Sequence, residues 1–286
     1  MRSFFSLIII LTSFMVVTSC GQNSDYVVTF KTKHGDMVAI LYDETPKHKE
    51  NFIKLAQEHF FDSTLFHRVI QGFMIQGGDP DSKNAVPGQR LGMGGPGYTV
   101  DAEFNPKLIH ERGALSAARL GDQQNPTKAS SGSQFYIVQG TKMTEEELKH
   151  DAVKYDQALQ QFFQNAANKP VYDSVVALYQ SGDMDSYVGY IMKIKPRVEK
   201  ATGMSTTQEV SPERLKVYTT VGGAPNLDGG YTVFGKVVKG LDVVDKIAAV
   251  QTSGERPVED IRMTVTVEKM PKKKIEELYG YRYPTK

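Results

Sequence analysis

The chain has 286 residues, enough for one large core or two small ones, and its 34 basic residues nearly balance its 33 acidic residues. The resulting net charge of +1 gives no electrostatic reason to expect nucleic acid as a partner. The chain contains a single cysteine, Cys20, which excludes an intramolecular disulfide.

The N-terminal residues 1–19 are typical of an export signal. Arg2 gives a positive start, and residues 4–17 form an apolar run. This run is shorter than the roughly 20 residues that a membrane span needs, which favours a cleaved signal peptide over the alternative of an uncleaved anchor. The letters VTSC that end at Cys20 resemble a bacterial lipobox, which predicts lipid attachment to that thiol. Residues 20–25 then predict a short polar tether.

The next part of the chain has a strand-rich pattern. Alternating apolar and polar residues predict a hairpin from residues 26–31 and 36–42, and Pro46 begins a helix that ends near Phe60. Further strands are predicted at 65–70, 73–76, 114–117, 134–138, 231–238 and 262–269. A second helix is predicted over residues 241–250. Many short strands with two helices favour a closed barrel, but the pattern does not say which barrel.

Residues 141–211 depart from this pattern and predict an α-helical insertion. Thr144 and Glu147 have the spacing of a capping box. Helices are expected over 148–166, 171–180 and 186–194 before Pro196, and from Ser211. We expect the apolar stripe of the insertion to pack on itself and on the barrel rather than on a partner. Residues 271–286, which include three consecutive lysines, predict a solvated basic tail.

Three sequence runs carry a family resemblance. They are FHRVIQGFMIQGGD (66–79), SSGSQFYIVQG (130–140) and NLDGGYTVFGKVVKGLDVVDKI (226–247). In this order they resemble the cyclophilin family of peptidyl-prolyl cis/trans isomerases. The resemblance implies a mainly-β fold, a closed eight-stranded antiparallel barrel capped by two helices. It also implies one isomerase domain over residues 26–270. We interpret the insertion 141–211, which interrupts this domain, as lying beside the catalytic groove.

The resemblance implies a catalytic role for Arg68, with Gln76 holding it in place. An arginine suits this reaction, because twisting the X-Pro amide returns a lone pair to nitrogen and a fixed donor can bind that twisted state selectively. The alternatives are purely structural roles, a surface salt bridge for Arg68 and a polar residue at a strand end for Gln76. The reaction needs no nucleophile, metal or other cofactor.

Further residues match family positions that bind the substrate around the proline ring and along the groove. They are Phe73, Met74, Ala118, Arg119, Gln134, Tyr136, Leu227 and Tyr231. By residue type alone, the apolar members of this set would be assigned to the core. The chain also departs from the commonest family pattern, since Asn226 replaces a tryptophan, Tyr231 a histidine, Tyr136 a phenylalanine and Arg119 an asparagine. These departures leave Arg68 in place.

His67 has no second ligand at metal spacing, so we expect a hydrogen-bonded core histidine and no metal site. The predicted function is a peptidyl-prolyl isomerase that assists the folding of exported proteins. The alternative is a module that binds proline-containing segments, or acts as a chaperone, with little turnover. The expected partners are proline-containing polypeptides and, through Cys20, a membrane. We predict a monomer in the envelope of a bacterium, lipid-anchored on the extracytoplasmic and most simply the periplasmic side.

Overall fold

The structure, a computed structural model, describes residues 23–86 and 88–284. The predicted signal peptide and Cys20 lie outside the described residues. The strands, in chain order, are β1 (Ser24–Thr32), β2 (Gly35–Leu41), β3 (Arg68–Ile70), β4 (Met74–Gly77), β5 (Thr99–Val100), β6 (Ala114–Ala117), β7 (Ser130–Ser131), β8 (Phe135–Val138), β9 (Val233–Lys239), β10 (Thr252–Ser253), β11 (Arg256–Pro257) and β12 (Met263–Pro271). The α-helices are α1 (Pro46–Gln57), α2 (Glu145–Lys149), α3 (Ala152–Phe163), α4 (Lys169–Ser181), α5 (Met184–Thr202), α6 (Pro212–Thr220), α7 (Leu241–Ala248) and α8 (Lys272–Tyr279).

Eight of these strands form one antiparallel sheet in the order β12-β1-β2-β9-β6-β8-β4-β3. The residues that precede β3 return to the start of β12. Ser63 N–H donates to the Met263 carbonyl at 2.9 Å, and Phe66 N–H donates to the Ile261 carbonyl at 2.9 Å. These bonds join the two outer members of the sheet and curl it into a barrel. The predicted mainly-β fold with an eight-stranded antiparallel sheet is confirmed.

The barrel is filled by apolar side chains, with a cluster of phenylalanines at its centre. Phe52 of α1 lies 4.8 Å from Phe61 and 5.5 Å from Phe135, measured between ring centroids. Helix α7 adds Val244 and Ile247, both fully buried, to the same core. One face of each helix therefore closes the barrel core, since burying these side chains removes large apolar areas from water.

The insertion is helical, but its first helix is broken where the sequence pattern predicted continuity. The capping box is present, with Thr144 N–H donating to Glu147 Oε2 at 2.7 Å and Glu147 N–H to Thr144 Oγ1 at 3.2 Å. Helix α2 then ends at Lys149, because Asp151 N–H leaves the helix to bond the Thr206 carbonyl at 2.9 Å. The Asp151 carboxylate caps the new helix α3 through Lys154 N–H at 3.0 Å. The helical spacing of apolar residues therefore did not predict that the helix is interrupted between α2 and α3.

The expectation that a helix stops before Pro196 is wrong. Helix α5 runs from Met184 to Thr202 with Pro196 inside it. Ile194 and Val198 flank the proline and are buried in the core of the insertion, so packing outweighs the hydrogen bond that proline cannot donate. This core consists of insertion residues, in agreement with packing of the stripe on itself.

Both ends of the domain differ from the sequence prediction. Ser24 and Asp25, predicted as tether, already belong to β1 and pair with Pro271 and Met270. The predicted solvated tail instead forms α8, whose Ile275 is fully buried. Three tyrosines pack in the same cluster as Ile275, one at the end of α8 and two after it: Tyr279, Tyr281 and Tyr283. The tail therefore covers a second apolar face of the sheet. Within residues 23–86 and 88–284, no helix combines the length and hydrophobicity that a membrane crossing requires.

Candidate active site

A groove of about 1150 Å³ opens on the side of the barrel formed by β3, β4 and β8. Its walls continue into residues 88–92, the segment around Leu227, and the β10–β11 hairpin. Nine of the ten residues predicted to bind or turn over the substrate line it: Arg68, Phe73, Met74, Gln76, Ala118, Arg119, Tyr136, Leu227 and Tyr231. No residue of the insertion 141–211 lines the groove, and the expectation that the insertion lies beside it stays a prediction.

Arg68 and Gln76 are brought together by strand register. They are directly opposed on β3 and β4, so their side chains emerge on the same face. Arg68 Nη1 donates to Gln76 Oε1 at 3.2 Å. Gln76 Nε2 then donates to Gln134 Oε1 at 3.1 Å, and Gln134 Nε2 donates to the Gly94 carbonyl at 2.8 Å. Each amide is therefore oriented by the next.

Gln134 does not line the groove, in contrast to the prediction that it binds substrate. Its side chain is buried behind Gln76, and both ends of its amide are hydrogen-bonded, one to Gln76 and the other to the Gly94 carbonyl. The structure places it one step further from the groove, where it orients the residue that holds Arg68.

A second partner of Arg68 was missed at the sequence level. Glu255, in the turn between β10 and β11, accepts a hydrogen bond from Arg68 Nε at 2.5 Å. The two residues are separated by 187 positions, and a glutamate in a polar turn carries no signal by itself. We call Glu255, Arg68, Gln76 and Gln134 the arginine chain.

The apolar pocket next to Arg68 is formed by side chains that converge from three parts of the chain. Met74 lies on β4 and Tyr136 on the neighbouring strand β8, while Phe73 and Leu227 come from adjoining loops. Tyr231 packs against the same cluster, with its ring edge-on to Tyr136 at 6.0 Å between centroids. A pocket walled by aromatic and aliphatic groups suits an apolar ring.

Two of the departures from the family pattern contact each other. The Arg119 guanidinium lies over the ring of Tyr231, with its central carbon 4.4 Å from the centroid. Arg119 Nε also donates to the Gly230 carbonyl at 2.7 Å, and Nη1 donates to Asp122 at 2.6 Å. Arg119 therefore braces Tyr231 as one wall of the pocket. Asn226 is exposed and does not line the groove.

The hydroxyl of Tyr136 belongs to a buried polar network that the sequence did not reveal. It lies 2.9 Å from His110 Nε2, and His110 Nδ1 lies 2.8 Å from Asp228 Oδ1. On its other oxygen, Asp228 accepts from Arg214 Nη2 and from the Tyr218 hydroxyl, each at 2.6 Å. We call these five residues the Asp228 network. Arg214 and Tyr218 lie on α6, so this helix reaches the pocket from behind.

Burial and hydrogen bonding act in opposite directions on Asp228. Burial favours the neutral acid and would raise its pKa, but the hydrogen bonds from His110 and Tyr218 outweigh burial and hold the pKa below its usual value. Asp228 is therefore charged at neutral pH. Burial also raises the pKa of the Tyr136 hydroxyl well above its ordinary value, so that hydroxyl stays neutral.

His67 is buried as predicted, but the hydrogen bonds expected for it are missing. Neither ring nitrogen has a partner within the described part of the chain. Burial in the groove wall lowers the pKa of His67 to about 4, so the ring is neutral at physiological pH. Among the residues that the structure describes, no group of three or more histidine, cysteine or acidic side chains could hold a metal ion.

Comparison with known proteins gives matches over most of the chain. Residues 27–155 and 201–268 match the family described as cyclophilin type peptidyl-prolyl cis-trans isomerase/CLD. A Streptococcus pyogenes serotype M6 protein, described as a bifunctional phosphatase/peptidyl-prolyl cis-trans isomerase, is 32% identical over 82% of this chain. A Staphylococcus haemolyticus protein, described as a peptidyl-prolyl cis-trans isomerase, is 29% identical over 84% of this chain.

The matched lengths differ between these relatives. The chain spans 37% of the streptococcal protein and 89% of the staphylococcal protein. Among solved structures, a cyclophilin type peptidyl-prolyl cis-trans isomerase of Cryptosporidium parvum is similar over 85% of this chain and 98% of its own, at 19% identity and a TM-score of 0.48. The unmatched residues between the two family segments lie inside the helical insertion.

Proposed function

The chain belongs to the cyclophilin-type peptidyl-prolyl cis-trans isomerases, and we propose that it accelerates X-Pro exchange in exported proteins by stabilising the twisted amide with Arg68. In this proposal Arg68 is the catalytic residue and Gln76 orients it. The pocket formed by Phe73, Met74, Tyr136 and Leu227 holds the proline ring, with Tyr231 and Arg119 as one wall. Ala118, which is small, leaves room for the substrate backbone.

The chemistry needs only selective binding. Rotation about a peptide bond is opposed by a barrier of roughly 20 kcal/mol, because nitrogen shares its lone pair with the carbonyl. In the twisted state that lone pair returns to nitrogen, which then becomes a hydrogen-bond acceptor. A guanidinium that meets this nitrogen binds the twisted state better than either planar isomer, and only such differential binding raises the rate.

One observation carries the proposal, a cation held in place in the same groove as a cluster of apolar side chains. Arg68 of β3 is held by Gln76 of β4 at 3.2 Å; β4 also supplies Met74, and its neighbour β8 supplies Tyr136. Because the donors are oriented before substrate arrives, little reorganisation is required when the amide twists.

Turnover of a short X-Pro peptide in a protease-coupled assay tests the proposal. The purified chain should accelerate exchange without an added metal or nucleotide. Arg68→Ala should lower kcat/KM a hundredfold or more, whereas Arg282→Ala, at an exposed arginine outside the groove, should leave it unchanged. Tight binding of the peptide with only the uncatalysed rate would favour a proline-binding or chaperone module instead.

The role in export rests on the N-terminal sequence. A signal-like run that ends at Cys20 supports lipid attachment there and placement on the extracytoplasmic side of a bacterial envelope, where unfolded exported chains pass. Cys20→Ser should move the protein from the membrane fraction to the soluble fraction. Mass spectrometry of the mature protein tests this directly. An intact Met1 or an unmodified Cys20 would contradict this part of the proposal.

A further inference from the structure

The turn that carries Glu255 is built onto the catalytic strand. Strands β10 and β11 form a hairpin whose two turn residues are Gly254, with φ +63°, and Glu255. A positive φ at the first turn position is accessible to glycine at no steric cost. The backbone of Glu255 is then fixed on β3, because Val69 N–H donates to the Glu255 carbonyl at 2.7 Å.

The next residue anchors the other side of this turn. Arg256 Nη1 donates to the Gln89 carbonyl at 2.5 Å, and its Nη2 donates to Asp260 Oδ1 at 3.3 Å. The turn is therefore held between β3 and the loop around Gln89. The backbone of Glu255 therefore has a fixed position relative to β3, which a glutamate in a free surface loop would not have.

Glu255 and Gln76 approach the Arg68 guanidinium from two different elements. Glu255 accepts from Nε and Gln76 accepts from Nη1. Two fixed acceptors at separate nitrogens define both the position and the plane of the Arg68 guanidinium group. Within the described residues, no acceptor contacts Nη2, which leaves that nitrogen for a substrate in the groove.

The Arg68–Glu255 contact is not placed to stabilise the fold. The side chains of Arg68 and Glu255 are 39% and 54% exposed, and water screens an ion pair of that kind. Its effect is on the side-chain freedom of Arg68. An unrestrained arginine has many rotamers, and part of this freedom would be lost each time the transition state forms.

We propose that Glu255 is a positioning residue for the isomerase reaction, fixing Arg68 in the orientation that meets the twisted amide. The inference rests on the proposed function, in which Arg68 is the catalytic residue. Glu255 acts through Arg68, so its removal should raise the barrier for turnover and leave binding of the planar ground state nearly unchanged.

Steady-state kinetics of Glu255 variants test the proposal. Glu255→Ala should lower kcat about tenfold, with KM within about twofold of wild type. Glu255→Gln keeps an acceptor oxygen at the same reach and should recover kcat to within about threefold. The matched control is Glu259→Ala in the same segment, because Glu259 pairs with Lys33 and does not line the groove. This control should retain the wild-type kcat and KM.

A double-mutant cycle and a spectroscopic measurement separate positioning from a general structural effect. On an Arg68→Ala background, Glu255→Ala should cause no further loss, because the residue through which it acts is absent. In ¹⁵N NMR spectra, the Arg68 Nε–Hε signal should be sharp and shifted in the wild type and in Glu255→Gln, and should move and broaden in Glu255→Ala.

The outcomes separate this inference from the proposed function. A wild type without turnover contradicts the proposed function itself. With an active wild type, an unchanged kcat in Glu255→Ala overturns the positioning role. A rise in KM at constant kcat also overturns it, because that result means direct contact of Glu255 with the substrate. Loss of kcat with an unchanged Nε–Hε signal contradicts the route through Arg68.

Discussion

Two polar networks flank the proposed proline pocket, and they differ mainly in their access to water. In the Asp228 network, His110 is fully buried and the Asp228 side chain is 8% exposed, and each oxygen of the carboxylate has partners. In the arginine chain, Arg68 and Glu255 both face the groove. Burial makes a charge costly unless it is fully paired, whereas exposure weakens any pairing.

This difference separates two tasks at one site. The Asp228 network fixes the pocket wall from inside the protein, so its loss should reduce stability. The arginine chain orients one donor toward the substrate, so its loss should reduce rate and leave the fold intact. The two networks reach the pocket through directly paired residues of neighbouring strands, Gln76 of β4 and Tyr136 of β8, which makes them suitable for direct comparison.

The largest expected effect is a loss of stability when the Asp228 network is disrupted. Asp228→Ala should lower the free energy of unfolding by about 3 to 4 kcal/mol, because it leaves the fully buried His110 and Tyr218 without their acceptor. Urea denaturation measures this loss. Asp242→Ala is the matched control, since Asp242 pairs with Lys246 on the surface, and it should leave the free energy of unfolding nearly unchanged. Equal effects of the two variants would remove the distinction drawn from burial.

A change in the arginine chain should show the opposite pattern, a loss of rate without a loss of stability. Arg68→Lys keeps the charge but loses the rigid fork that Glu255 and Gln76 hold, so kcat/KM should fall about thirtyfold to a hundredfold. The free energy of unfolding should remain within about 0.5 kcal/mol of wild type. Peptide turnover and urea denaturation on the same preparation provide both numbers. A destabilised but fully active variant would reverse the proposed division of tasks.

His67 sharpens the comparison, because it is buried and neither ring nitrogen has a partner among the residues that the structure describes. Its folded-state pKa of about 4 lies below the ordinary value of 6.5, so the unfolded chain binds the proton more readily. Stability that is complete above pH 6.5 should therefore be lost as the pH falls toward 4, by about 2 kcal/mol between pH 7 and pH 5.

The variant His67→Gln isolates this contribution. Other histidines with lowered pKa values, His34, His48 and His150, contribute in the same direction in both proteins. The test is consequently the difference between two curves of unfolding free energy against pH. Parallel curves for wild type and His67→Gln would show that His67 contributes nothing to the acid dependence.

The smallest expected effect comes from one hydroxyl of the buried network. Tyr218→Phe removes the donor to Asp228 and should lower the free energy of unfolding by about 1 to 1.5 kcal/mol, because the carboxylate keeps its other partners. Tyr172→Phe, at an exposed tyrosine of the insertion, is the control and should be neutral. A neutral Tyr218→Phe would show that α6 does not support the pocket through this bond.

Much of the fold could be predicted from the sequence, because the predicted N-terminal hairpin alternates apolar and polar residues, the helices have a proline start or apolar residues at helical spacing, and the three family runs are contiguous. The limits of α1, β6 and α7 were predicted closely. The pattern failed at Pro196, where tertiary packing carried a helix through a proline, and at the C-terminal tail, where tyrosines cover the barrel. Local propensity is a weak guide wherever distant residues supply the packing.

The sequence by itself determined the family, the location of Arg68 and Gln76, and the apolar residues of the pocket, since each lies in a contiguous run. Only the tertiary structure decided what holds them. Glu255 reaches Arg68, and Asp228 reaches His110, through contacts between residues 187 and 118 positions apart. Such contacts leave no periodic or local trace, because hydrogen bonding depends on distance and direction in space rather than on separation along the chain.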